Sequence, residues 1–113
     1  MERFRKYIDR EINLENVKNA DRLSAFEVIC TYLPDPPEEF DEFEFRTGFP
    51  GENKIVLTVA VEMGRIKRVM FSAADEEDPD VLRSLTQPQL NDLLAKKGEL
   101  LVEFFQYITA GRG

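Results

Sequence analysis

An α+β domain is what this sequence predicts: an N-terminal helix, a mainly antiparallel sheet of about four strands running as a meander, then a short helix and a long C-terminal helix packed on the sheet. Two observations carry the expectation. Apolar and polar residues alternate through "FEFRTGF" and "KIVLTVAVEMGRIKRVMFSAA" reads as two further strands joined at Met63-Gly64, whereas the C-terminal segment spaces its apolar residues as a helix does, behind a Thr86–Gln89 capping signal. No strand–helix–strand rhythm and no internal repeat intervenes, so residues 1–113 are expected to form a single globular domain.

The first element follows from Phe4, Ile8 and Ile12, which recur every fourth residue among Arg3, Lys6, Asp9 and Arg10 and would line one side of a charged helix. "NLENVKNAD", rich in Asn and Asp, reads as a turn or a frayed continuation of it. Over residues 22–33 two readings compete. Leu23, Phe26, Cys30 and Leu33 suit a helix, but Phe26, Val28, Ile29, Thr31 and Tyr32 are β-branched or aromatic and Pro34, Pro36 and Pro37 end the segment, which favours a strand.

In the next stretch Phe43, Phe45, Thr47 and Phe49 share one parity while Glu42, Glu44 and Arg46 share the other, as in a strand with one buried and one wet face. "GFPGEN" supplies a turn from Gly48, Pro50, Gly51 and Asn53, and the following run folds back on itself at Met63-Gly64 as a tight hairpin. A two-residue loop there sets Glu62 opposite Arg65, Val61 opposite Ile66, Leu57 opposite Met70 and Val56 opposite Phe71. One side would then carry Ile55, Leu57, Val59, Val61, Ile66 and Met70. The other would carry Val56, Thr58, Val69 and Phe71, apolar enough to need cover from a helix or from a second copy of the chain in a homodimer.

Asp78-Pro79 fits the start of a short helix through Val81, Leu82 and Leu85. The long helix is expected to begin near Gln87. Thr86 and Gln89 can form a capping box, Leu85 and Leu90 a hydrophobic staple, and Pro88 is tolerated in the first turn. Its apolar stripe of Leu90, Leu94, Leu101, Phe104, Phe105 and Ile108 runs to "AGRG", where Gly111 can end it.

Composition narrows the function. With 42% hydrophobic and 33% charged residues the chain is globular, and no apolar run is long enough to span a membrane. The opening "MERFRKYIDRE" lacks the apolar core of a secretory signal, and a single cysteine, Cys30, forms no internal disulfide, so a cytoplasmic, reducing location is expected. The net charge of -7 concentrates in residues 25–53 and 75–80. That balance repels nucleic-acid phosphate, and the only counterweight is Lys54, Arg65, Lys67 and Arg68 on the hairpin.

The chain contains no histidine, which excludes Ser-His-Asp and Cys-His nucleophile systems, histidine zinc sites and imidazole proton shuttles built from this chain alone. Cys30, inside an apolar run with no base nearby in sequence, reads as a structural thiol. "GFPGENK" lacks the spacing of a phosphate-binding loop. In "DEEDPD", Asp75 to Asp80, the resemblance to a calcium loop breaks where the sixth and twelfth positions hold Asp80 and Thr86 in place of Gly and Glu. Neither catalytic residues, nor metal ligands, nor a cofactor are therefore expected.

What remains is "DPPEEFDEFEFRTGF", with six carboxylates and four phenylalanines. Glu38, Glu39, Glu42 and Glu44 are expected to form an acidic strand face that binds a basic protein partner, in the manner of an inhibitor, immunity protein, chaperone or adaptor. The plain alternative is that these acids only keep the strand soluble. The rival functions are a carboxylate- or metal-dependent enzyme centred on residues 75–80, and nucleic-acid binding by the basic hairpin or phosphate mimicry by the acidic face.

Overall fold

Phe4 and Tyr7 stand three residues apart, and a 3-10 helix, Glu2–Tyr7, turns both inward to 1% and 2% exposure. The expected N-terminal helix is therefore only this short turn. It stops at Asp9, whose φ of 67° lies in the left-handed region that Asp tolerates better than most residues. The structure is a computed structural model describing residues 2–23, 29–32, 34, 36–49, 52–75, 77–78 and 81–110.

From Asp9 the chain runs extended beside the hairpin: the Asp9 N–H donates to the Ile66 carbonyl, Ile66 N–H to the Arg10 carbonyl and Ile12 N–H to the Gly64 carbonyl. Then "NLENVKNAD", expected as a turn, forms most of helix α1, Leu14–Leu23. Its asparagines are interhelical clamps. Asn13 Oδ1 accepts from the Asn16 N–H as a helix cap, Asn13 Nδ2 donates to the Ala110 carbonyl at 2.8 Å, and Asn16 Nδ2 donates to the Tyr107 carbonyl at 2.8 Å. Together with the Asn13 N–H on the Ile108 carbonyl, these bonds tie the start of α1 to the end of the C-terminal helix.

Five strands follow: β1 Ile29–Tyr32, β2 Glu42–Phe49, β3 Glu52–Glu62, β4 Arg65–Ala74 and β5 Leu82–Ser84. They form one antiparallel sheet in sequential order, the expected meander with one strand more than anticipated. The strand expected within residues 22–33 is β1, and residues 24–28 and the Cys30 side chain lie outside the described set. Of the turn expected from Gly48, Pro50, Gly51 and Asn53, Gly48 lies in β2 and Asn53 in β3, and residues 50–51 are also outside the described set.

The hairpin at Met63-Gly64 is present, with φ of 53° and 78° at its two loop residues and Glu62 opposite Arg65. Beyond Val61 opposite Ile66 the register departs from expectation. Ala60 pairs with Arg68, which makes Lys67 an extra residue, a β-bulge. Leu57 consequently faces Phe71, and Val56 faces Ser72. The bulge turns Val69 and Phe71 into the core at 9% and 6% exposure and leaves Met70 outside at 36%. Burying Val69 and Phe71 in place of Met70 favours this register, because the larger apolar area is removed from water.

The expected short helix near residue 82 is instead strand β5. Asp78 does not cap a helix; its carbonyl accepts from the Val81 N–H in a turn, and Leu82–Ser84 then pair with Ala74–Ser72. β4 is thereby covered at both ends, by β5 at one and by residues 9–12 at the other, which protects an otherwise open sheet edge.

The C-terminal helix α2, Gln87–Ile108, begins as the sequence indicates: Thr86 and Gln89 form the reciprocal capping box, with Pro in the first turn. Leu93, Leu101, Phe104, Phe105 and Ile108 are buried along it and share one core with Phe45, Leu57, Val59 and Phe71 of the sheet. Phe4 links the layers, its ring 5.7 Å from Phe71 and 5.1 Å from Phe105.

Candidate functional site

Because Phe43 pairs with Val61 and Phe45 with Val59, alternate residues of β2 point to the opposite side of the sheet and set Glu42 across from Glu62, Glu44 across from Ala60 and Arg46 across from Thr58. The parity argument for β2 is right. Phe45 is fully buried and Phe43 partly so, while Glu42 is exposed. β3 pairs along the strand, whereas β1 pairs only with Arg46, Thr47 and Gly48, so among the described residues no second strand lies beside the half of β2 that carries Glu42 and Glu44.

The four acids singled out from the sequence divide into two kinds. Glu44 reaches over Ala60 to accept from the Arg68 guanidinium at 2.8 Å, and Glu38 accepts from Lys18 of α1 at 3.0 Å. The side chains of Glu39 and Glu42 make no hydrogen bond or ion pair among the described residues. They are joined by two acids that the sequence reading did not single out, Asp41 and Glu62, both exposed. An acidic corner of Glu39, Asp41, Glu42 and Glu62 results where β2 begins and the β3–β4 hairpin turns. The Met63 N–H donates to the Asp41 carbonyl at 2.7 Å and fixes the two segments together.

Lys18 beside Glu38 holds that carboxyl below the ordinary Glu value, first by its hydrogen bond, then with help from a backbone N–H. A lowered folded pKa means that this pair stabilises the fold above the ordinary Glu pKa and that the contribution disappears as pH falls through the lowered value. In an NMR titration of side-chain carboxyl shifts, Glu38 is expected to titrate below an unpaired Glu and to move towards the ordinary value in Lys18→Met. A Glu38 titration unchanged by that substitution would remove Lys18 as the cause.

Two hollows flank the acidic corner. On the outer face the small Ala60 side chain floors a depression of about 300 Å³ rimmed by Glu42, Glu44, Glu62 and Lys67. At the end of the sheet a second groove, also about 300 Å³, is lined by Ile12, Leu14, Phe40, Phe43 and Met63, with Glu38 and Asp41 at its edge.

The residues expected to share a second apolar face are separated. Val56 and Thr58 stand on the face turned away from the core, where Thr58 is nonetheless covered at 3% exposure, whereas Val69 and Phe71 lie in the core because of the bulge. The hairpin cations are engaged as well: Lys67 pairs with Asp9 at 2.8 Å, Arg65 donates to the Asp9 carbonyl and Arg68 holds Glu44, while the Lys54 side chain lies outside the described residues. In the 75–80 segment Asp75 Oδ1 accepts from the Glu77 N–H. Among the described residues no three Cys, Asp or Glu side chains converge as a metal site, and no helix is long and apolar enough to cross a membrane.

No protein-family model, no curated protein and no solved structure matches the chain.

Proposed function

We propose that the protein is a non-enzymatic interaction module, of inhibitor, immunity-protein, chaperone or adaptor type, that binds a basic protein partner at the corner of Glu39, Asp41, Glu42 and Glu62. The observation that carries this reading is the cross-strand pair Glu42 and Glu62. Like charges directly opposite on adjacent strands destabilise a sheet, and one row further along the same face Glu44 has an Arg68 to answer it. Glu62 does have Arg65 opposite it on β4, but that guanidinium donates to the Asp9 carbonyl and forms no ion pair with Glu62 among the described residues, so the Glu42–Glu62 repulsion is one that a cationic partner would relieve. The basic-hairpin reading draws less support because Arg65, Lys67 and Arg68, though exposed, are each engaged by Asp9 or Glu44.

Affinity capture with wild type and with Glu42→Gln/Glu62→Gln, each washed at low and high salt, tests the reading. Basic proteins should be retained by wild type at low salt, released by salt, and not retained by the double variant, whose melting temperature should be equal or higher. Retention of the same proteins by both forms would overturn it.

A further inference from the structure

We propose that the groove between Phe40 and Met63 receives an apolar anchor side chain of the partner, carried on a segment with Lys or Arg beside it. This rests on the basic-partner reading above and adds where the contact is closed. Phe40 is 49% exposed and Met63 is 72% exposed, beside a core whose aromatic rings are nearly all covered. Together with Ile12, Leu14 and Phe43 they enclose about 300 Å³, room for one large aliphatic or aromatic side chain. Asp41 and Glu38 stand at the rim, and Glu42 and Glu62 lie just beyond. An apolar floor within an acidic rim complements an apolar residue with cationic neighbours, and charge-steered encounter followed by anchor burial is how such interfaces gain both rate and lifetime.

Met63 is an independent sign. Its φ of 53° belongs to the left-handed region that Asn and Gly occupy at the first position of such a turn and that most side chains avoid. A methionine here weakens the hairpin and buries little of itself. Strain of this kind is retained where function needs the side chain, and methionine is the residue that moulds itself to a partner's surface.

The test uses an amphipathic peptide of Lys and Leu, with all-Lys and Glu/Leu peptides as controls, against the full chain. Wild type should bind the Lys/Leu peptide most tightly, and Phe40→Ala and Met63→Asn should each weaken it about tenfold, chiefly through faster dissociation. Met63→Asn should at the same time raise the melting temperature by about 2–5 °C, which loss of a structural side chain would not do. Equal binding of Lys/Leu and all-Lys peptides, or unchanged dissociation in both variants, overturns the groove. So does a wild-type dimer that Phe40→Ala dissolves, because the occupant is then a second copy. If Phe40→Ala weakens binding while Glu42→Gln/Glu62→Gln leaves association untouched, the groove stands and the acidic steering fails; the reverse result removes the groove and leaves the steering.

Discussion

Phe105→Ala should destabilise the fold by about 3–5 kcal/mol, the largest effect expected of any single substitution and a large part of the ~5–15 kcal/mol available to a domain of this kind. Phe105 is fully buried, stacks on Tyr7 with ring centres 5.2 Å apart, and meets Phe4 at 5.1 Å and Phe104 at 5.7 Å. It therefore joins the N-terminal turn to α2, while Phe4 carries the contact on to Phe71 and the sheet. Truncation would leave a cavity between layers, with three rings deprived of a neighbour. Urea unfolding should show a lower midpoint with little change in slope. A loss below about 1 kcal/mol would mean that the layers close over the gap or that α2 docks through another face.

Thr47→Val should act in the opposite direction and stabilise by about 1–3 kcal/mol. Thr47 lies on the core face of β2, opposite Leu57 and 3% exposed, and its hydroxyl has no hydrogen-bond partner among the described residues. Valine has the same shape and suits a strand at least as well, so the exchange removes an unsatisfied buried donor without opening a cavity. Thermal unfolding checks it. A variant less stable than wild type would show that the Thr47 hydroxyl makes a bond that its surroundings require.

The sequence made local features legible and concealed those that depend on distant partners. The Met63-Gly64 hairpin and the Thr86–Gln89 capping box are each written in a few adjacent residues, and both stand where they were expected. The bulge also has a local trace. In "IKRVMF" the apolar residues fall at 66, 69, 70 and 71, a spacing that strict alternation does not produce, and two cations fill the gap. Asn13 and Asn16 read as turn formers because their partners, Ala110 and Tyr107, lie 97 and 91 residues away. β5 was read as helix because the need to cover β4 appears only once the sheet is assembled. Of the candidate site, the outward parity of Glu42 was legible. Its pairing with Glu62 was not, since it follows from the β2–β3 register, nor was the engagement of Glu38 and Glu44 by Lys18 and Arg68.

The central claim is that unpaired acids at the start of β2 draw in a basic partner. Stopped-flow association of the captured partner, measured for wild type and Glu42→Gln/Glu62→Gln at low and high ionic strength, addresses it most directly. Exposed charges act at long range only within a Debye length, ~30 Å at 0.01 M salt and ~8 Å at 0.15 M. The wild-type rate should therefore exceed the variant's at low salt and fall towards it as salt rises, while dissociation changes little. Association rates that are equal for the two proteins and indifferent to salt would contradict the account.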